Sequence, residues 1–291
     1  MKQKTPEKNN RISGTLFIVA TPIGNVKDIT LRALEVLKSV DVIYAEDTRE
    51  TGKLLKAHDI ATKVVTYLGG YQRKIKIILD DLASGKNVAL VSDRGTPCIN
   101  DPGYEVVREA YKKGFRIVPI PGPNAALTAL MASGFNADSF FYAGFPPKKG
   151  KFRHAFLERI AGEKGVVIFY ESPHRLIKTL SELSEKGQTE RECLLARELT
   201  KYHEELLKGT IAELIKKLEQ RSSVKGEFVV ILGPFSGNEV STNDEALELA
   251  CSLVKEGLAV KKVARIVSKF YGVSQKKIYE KLVEIDPTSN L

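Results

Sequence analysis

From residue 14 to 134, continuously apolar, β-branched runs alternate with helical patterns. The runs are GTLFIVAT (14–21), DVIYAE (41–46), KVVTYL (63–68), NVALVSD (87–93) and FRIVPIPG (115–122). Between them, TLRALEVLKSV, RETGKLLKAHD, YQRKIKIILDDLASG, YEVVREAYKKG and PNAALTALMASG carry apolar residues at helical spacing. Strands that are apolar on both faces need cover on both faces. The alternation therefore predicts a parallel sheet with helices on each side. Gly114 and Gly134 fall where helix C-caps belong.

The pattern changes after about residue 137. SFFYAGF, GVVIFYES, ECLLAREL, EELLKGTI and GEFVVILG are spaced irregularly, and some follow one another without a helix. They predict a mixed sheet ending near Pro234. FSGNEVSTND reads as a linker, and the rest as helices. There a helix bearing Val263, Ala264, Ile266 and Val267 meets a turn at Tyr271–Gly272. Ser274 is placed to cap the next helix, which bears Ile278, Tyr279 and Leu282: a helix-turn-helix pattern. Lys261, Lys262, Lys276, Lys277 and Lys281 form its polar face. The expected organisation is a basic tail (1–13), an N-terminal α/β domain (14–136), a second α/β domain (137–234) and a helical domain (235–291).

The chain has 291 residues, 43% of them hydrophobic, enough for two or three cores. No apolar run reaches the roughly 18 residues of a membrane span, and the polar start, MKQKTPEKNNR, does not read as a secretory signal. Cys98, Cys193 and Cys251 stand far apart, without metal-ligand spacing. A cytoplasmic protein with reduced thiols and no metal is expected. The charge changes the picture more. Forty-five Lys and Arg against 36 Asp and Glu leave +9, which favours a polyanionic partner, nucleic acid above all.

In an open parallel sheet, ligands bind beyond the carboxyl ends of the strands. Loops rich in Gly and Pro lie at three such ends: ATPIGN (20–25), SDRGTPCINDPG (92–103) and PGPNAA (121–126). Glycine lets backbone groups approach a ligand closely, and proline sets the bends beforehand. Each loop also has a purely structural reading. Asp101–Pro102 matches an N-cap followed by a first-turn proline, and Pro123 can start the next helix in the same way. Neither G-x-x-x-x-G-K-[ST] nor G-x-G-x-x-G is present, which disfavours a nucleoside triphosphate or NAD. A smaller nucleoside ligand held by backbone groups fits better.

The ordered motifs ATPIGN…DI, AEDTR, SDRGTPCINDPG, PGPNAALTAL, IFYESPHR and ARELTK…HEE…KG resemble the small-subunit ribosomal RNA methyltransferase I family, within the tetrapyrrole (corrin/porphyrin) methylase superfamily. The likeness spans residues 14 to 234, and the helix-turn-helix matches a domain often found behind it. It implies methyl transfer from S-adenosylmethionine to the ribose 2′-oxygen of a cytidine in the decoding centre of 16S rRNA. It also implies a homodimer, with the cofactor between the two α/β domains. One departure is Arg94, where the family usually has Ala.

Carried over by motif, cofactor contacts would come from Pro22, Ile23 and Gly24, and from Asp93, Gly95, Thr96 and Ile99. Asn124, Ala125 and Ala126 would add to them, with Tyr170 and Leu199 from the second domain. A weakly acidic ribose hydroxyl can be helped by a general base, for which Glu46, Asp47 and Glu171 are the candidates. The structural alternative for AEDTR is that Thr48 caps a helix whose N-terminus the acids favour. His174 is a weaker choice as base and a candidate RNA contact. Arg49, Arg175, Arg197 and Lys201 could clamp RNA phosphates or pair with nearby Glu. KKGKFRH (148–154) supplies Lys148, Lys149, Lys151 and Arg153 on an expected loop, beside an aromatic, where RNA is the fitting partner.

Two rival readings stay open. One is a ligand-sensing regulator that binds DNA through the helix-turn-helix, and the other a methylase of a tetrapyrrole or other small acceptor. The charge, KKGKFRH and FYESPHR favour RNA.

Overall fold

The computed structural model describes residues 13–235 and 242–285. The expected basic tail up to residue 12, and residues 236–241 of the expected linker, lie outside the described residues. The chain forms two compact units divided after Phe235, and both α/β sheets belong to the first.

The first sheet has strands β1 (Thr15–Val19), β2 (Val42–Ala45), β3 (Val64–Thr66), β4 (Val88–Val91) and β5 (Arg116–Ile120), in the order β3-β2-β4-β1-β5. All of its pairings are parallel. Successive side chains alternate between faces. Ile43 and Ala45 pack under α1 (Leu31–Ser39) and α2 (Thr48–Ala57). Val42 and Tyr44 pack under α3 (Tyr71–Ala83) and α4 (Tyr104–Lys112). Every residue of β2 and β4 is buried, which explains their unbroken apolar runs.

The second sheet has strands β6 (Phe140–Gly144), β7 (Val166–Glu171), β8 (Glu192–Arg197), β9 (Glu205–Thr210) and β10 (Phe228–Leu232), in the order β6-β7-β10-β8-β9. Only β6–β7 is parallel, so the sheet is mixed as the irregular spacing predicts. One face carries α6 (Gly150–Gly162), α7 (Pro173–Leu183) and α8 (Ile211–Glu219). The other packs Ile168, Leu194, Val229 and Ile231 against Ile23 and α5 (Ala125–Met131). A strand-end loop of the first sheet is thus part of the second sheet's core.

The second unit is a bundle of α9 (Thr242–Lys255), α10 (Val260–Tyr271) and α11 (Gln275–Ile285) around Ala246, Ala250, Val263, Val267, Ile278 and Leu282. α9 begins inside the stretch expected to be linker. Gly272, at φ +69°, ends α10, and the Ser274 hydroxyl accepts from Lys277 N–H at 3.5 Å. Among the described residues, no helix is long and apolar enough to cross a membrane.

Candidate functional site

The loops after β1, β4 and β5 leave three adjacent strands, so they meet at one sheet end. Hydrogen bonds tie them together. Thr21 and Gly95 exchange backbone bonds of 2.8 and 3.0 Å, and Thr21 Oγ1 donates to Ser92 O. Thr96 Oγ1 donates to Pro123 O at 3.1 Å and accepts from Asn124 Nδ2 at 3.2 Å. Asn124 Oδ1 meanwhile caps α5 by accepting from Leu127 N–H.

Beside these loops lies a cavity of about 430 Å³, within the usual size of a small-molecule site. The first loops contribute Ile23, Gly95, Thr96, Ile99, Asn124 and Ala125 to its wall. Tyr170, Ala196, Leu199 and Val229 close it from the second sheet. Pro22, Gly24, Asp93 and Ala126 are not among its lining residues. Ala126 is in the core, and a Cβ on Gly24 would lie 2.6 Å from Lys201 Cγ, so that glycine serves close contact between the two sheets' loops. Gly95 does face the cavity and has φ +86°, a conformation that glycine adopts without strain.

Strained backbone surrounds the same place. Cys98 (φ +70°), Asn100 (+62°), Glu198 (+50°) and Thr200 (+64°) are all left-handed, a genuine outlier for β-branched Thr200. Thr200 Oγ1 accepts from Asn25 N–H, and Asn100 Nδ2 donates to Tyr142 Oη at 2.6 Å, so both bends hold the sheets' loops together. Arg94 on the β4 loop pairs with Glu227 at 3.0 Å, and Lys201 reaches the other oxygen of Glu227 at 2.6 Å. Arg94 is therefore one half of an ion pair at the cavity rim.

The acidic candidates separate cleanly. Glu46 follows β2 directly, beside Asp93 and Asp101, and its Oε1 is buried without a partner. Burial, with repulsion from Asp101 and Asp93, pushes its carboxyl up to about 7. Asp101 lines the cavity, and burial raises its pKa too, against a hydrogen bond from Ser92. It is not the N-cap its sequence context resembles, because α4 starts later, with Gly103 at that position. Asp47, by contrast, caps α2 in place of Thr48, and hydrogen bonds from Arg49 hold it down at about 2. That makes it a poor proton acceptor near neutrality.

Glu171, also a candidate base, lines the cavity as well. Its side chain is fully buried, and both oxygens are engaged. Oε1 accepts from Ser172 N–H and pairs with Arg175, both at 2.7 Å; Oε2 accepts from Thr179 Oγ1 at 2.7 Å, with Arg153 Nη1 3.9 Å away. A carboxylate with these partners ties Ser172, Arg175 and Thr179 together.

The basic candidates are dispersed. The expected KKGKFRH loop is corrected: α6 starts at Gly150, so Lys151 and Arg153 lie on a helix, and Arg153 is 5% exposed, bound to Glu182 and Thr179. Arg175 is spent on Glu171 and on Pro146 O, Arg197 on Lys225 O and Glu205, and Arg49 on Asp47. Lys148, Lys149, Lys151 and His174 are exposed. Sequence reasoning missed Asn100, Asp101, Phe145 and Glu227 as cavity residues. Asp101 lay in a quoted motif under a capping interpretation; Phe145 and Glu227 gave no local signal.

A family model described as Tetrapyrrole (Corrin/Porphyrin) Methylases matches residues 15–215. The chain belongs to the tetrapyrrole methylase family. Its sequence is 45% identical over 268 residues to a protein of Vibrio cholerae named ribosomal RNA small subunit methyltransferase I, covering 91% of this chain and 93% of the relative. A relative of the same name from Escherichia coli O157:H7 is 42% identical, covering 98% and 99% of the two chains. Among solved structures, diphthine synthase superposes with a TM-score of 0.60 at 14% identity, over 76% of this chain and 90% of that one. This likeness shows the methylase fold, a parallel sheet joined to a mixed one.

Proposed function

We propose that the protein transfers a methyl group from S-adenosylmethionine to the ribose 2′-oxygen of a cytidine in the decoding centre of 16S rRNA. The observation that carries the reading is the apolar cavity where three tied loops meet the second sheet, in a chain so similar to proteins named ribosomal RNA small subunit methyltransferase I.

The cavity suits a nucleoside cofactor. Ile23, Ile99, Ala125, Leu199 and Val229 offer an apolar slot for a flat ring, and the glycine at 95 leaves its backbone bare. Thr96, Asn100 and Asn124 are among the polar groups that line it. When bound, S-adenosylmethionine supplies a methyl carbon whose bonding pair leaves with sulfur as the ribose oxygen takes it. The chain has then to hold the acceptor in line, exclude water and receive the hydroxyl proton. We assign the proton to Asp101, on the cavity wall, with Glu46 behind it. Burial, with repulsion from Asp101 and Asp93 at Glu46 and from Asp93 at Asp101, makes both more basic than ordinary carboxylates. Asp47 and Glu171 have no part in that step.

For the RNA, exposed Lys148, Lys149, Lys151 and His174 and the net charge of +9 supply the attraction. A homodimer belongs to the same reading. It is supported by Leu127 and Met131, one turn apart on α5 and 51% and 82% exposed.

The test is incubation with labelled S-adenosylmethionine and either purified small ribosomal subunits or bare rRNA, followed by nucleoside analysis. Label on a cytidine 2′-oxygen is the expected result. Label on a base, or on an added tetrapyrrole alone, would refute the assignment.

A further inference from the structure

The segment from Phe145 to Lys149, FPPKK, links two concave surfaces. At one end Phe145 lines the cofactor cavity, packed against Tyr170 with ring centroids 5.1 Å apart, yet it remains 56% exposed. At the other end Lys148 and Lys149 line a separate cavity of about 460 Å³, together with Arg153, His154, Lys178 and Lys186 and the carboxylates Glu182 and Glu185. Lys186 is taken by Glu158, and Lys178 is 4.0 Å from Glu182. Lys148 and Lys149 are exposed and make no ion pair among the described residues.

The segment is held from below. Arg175 Nη1 donates to Pro146 O at 3.1 Å, and Arg153 Nη1 donates to Pro147 O at 3.2 Å. Both guanidiniums converge on buried Glu171, with Thr179 between Arg153 and that carboxylate. The bulge after Tyr142, with Gly144 at φ +75°, turns the chain out of β6 immediately before Phe145. A buried ionic network therefore fixes an exposed aromatic and two unpaired cations within roughly 14 Å of chain.

We infer that this strap is the subsite for the single RNA strand that carries the target nucleotide. Phe145 stacks on a base at the cavity mouth, and Lys148 and Lys149, in the second cavity, hold neighbouring phosphates. Glu171 is a positioning residue that acts through Arg153 and Arg175. An aromatic face beside unpaired cations matches the recognition of unpaired RNA, whose bases can be splayed onto side chains. The inference rests on the RNA reading above and adds how the acceptor strand is held.

The test uses the full chain, with retention of purified small subunits measured against salt beside methyl transfer. Phe145→Ala is expected to weaken retention and raise KM for the subunits by about tenfold or more. Phe145→Tyr, which keeps a π face, should recover most of that loss. The double variant K148A/K149A should flatten the logarithmic salt dependence by about 1.4, two phosphates at about 0.7 each. Its cofactor affinity by calorimetry should stay at the wild-type value, which verifies the fold. Wild-type retention and KM in Phe145→Ala, or an unchanged salt slope in the double variant, would overturn the strap. An equal loss of duplex DNA retention would mark a general anion patch and overturn it as well. Strap-dependent retention without any methyl transfer by the wild-type protein would instead keep the strap and sink the methyltransferase reading.

Discussion

The two sheets furnish their halves of the cleft by different physics. The first works through backbone: strand-end loops tied by the Thr21–Gly95 bridge and shaped by glycine and proline, with few charges in the wall. The second works through side chains: Tyr170, Leu199 and Val229 form the wall, and a buried network of Glu171, Arg153, Arg175 and Glu182 braces what stands outside it. A backbone-built wall tolerates side-chain change but not the loss of a special φ. An ion-built brace fails when one partner is removed, because the other is left charged in a place without water.

The largest expected effect follows from that asymmetry. Glu171→Ala leaves Arg153, 5% exposed, without its nearby buried counter-charge, and should destabilise the protein by about 3–5 kcal/mol in denaturant unfolding. A loss below about 1 kcal/mol would show that Glu182 alone balances Arg153 and that the brace is redundant. On the other side, Gly95→Val forces a β-branched residue to φ +86°, with its Cβ 3.4 Å from Ile23 Cγ2 at the cavity wall. Calorimetry should report a cofactor affinity at least about tenfold weaker, with about 1–2 kcal/mol of strain. Unchanged binding would place the ligand elsewhere in the cavity.

The smallest effect concerns the acidic cluster under the β4 loop. Glu46 has a folded pKa raised from 4.5 to about 7, so the protonated form is the one that folding favours. Its stabilising contribution is full below pH 4.5 and is lost as pH rises through about 7. Because the group is only partly buried, the change is about 1–2 kcal/mol. Glu46→Gln should remove that part of the pH dependence, measured as unfolding midpoints at pH 5 and pH 8. A parallel decline in both proteins would remove Glu46 as its source.

Much of the fold was legible along the chain, and for a definite reason. Each strand of the first sheet is buried on both faces, so its run is apolar throughout, and Val88–Val91 and Val42–Ala45 declare themselves. The irregular spacing after residue 137 likewise reflects the antiparallel pairing of β7, β8, β9 and β10. The glycine and proline loops were legible because positive φ restricts residue type, as at Gly95. The fates of the charged residues were not. Arg153 and Lys149 stand four residues apart in one basic motif, yet one is buried in an ion network and the other is exposed. Glu171 ends β7 and Glu46 directly follows β2, and only the former finds partners for both oxygens.

Local sequence by itself determined the alternation of strands and helices, the places where the backbone must turn sharply, the basic excess and the kinship with the methylase family. Those properties depend on residue type and on periods of two to four residues. The order β3-β2-β4-β1-β5, which brings three distant loops to one point, was decided only in three dimensions. So were the pairing of Arg94 with Glu227, 133 positions away, and the division of like-charged side chains into anchors and free hands. A charge's role is set by whether a counter-charge or water reaches it, and that depends on which distant segments the packing of the sheets brings beside it.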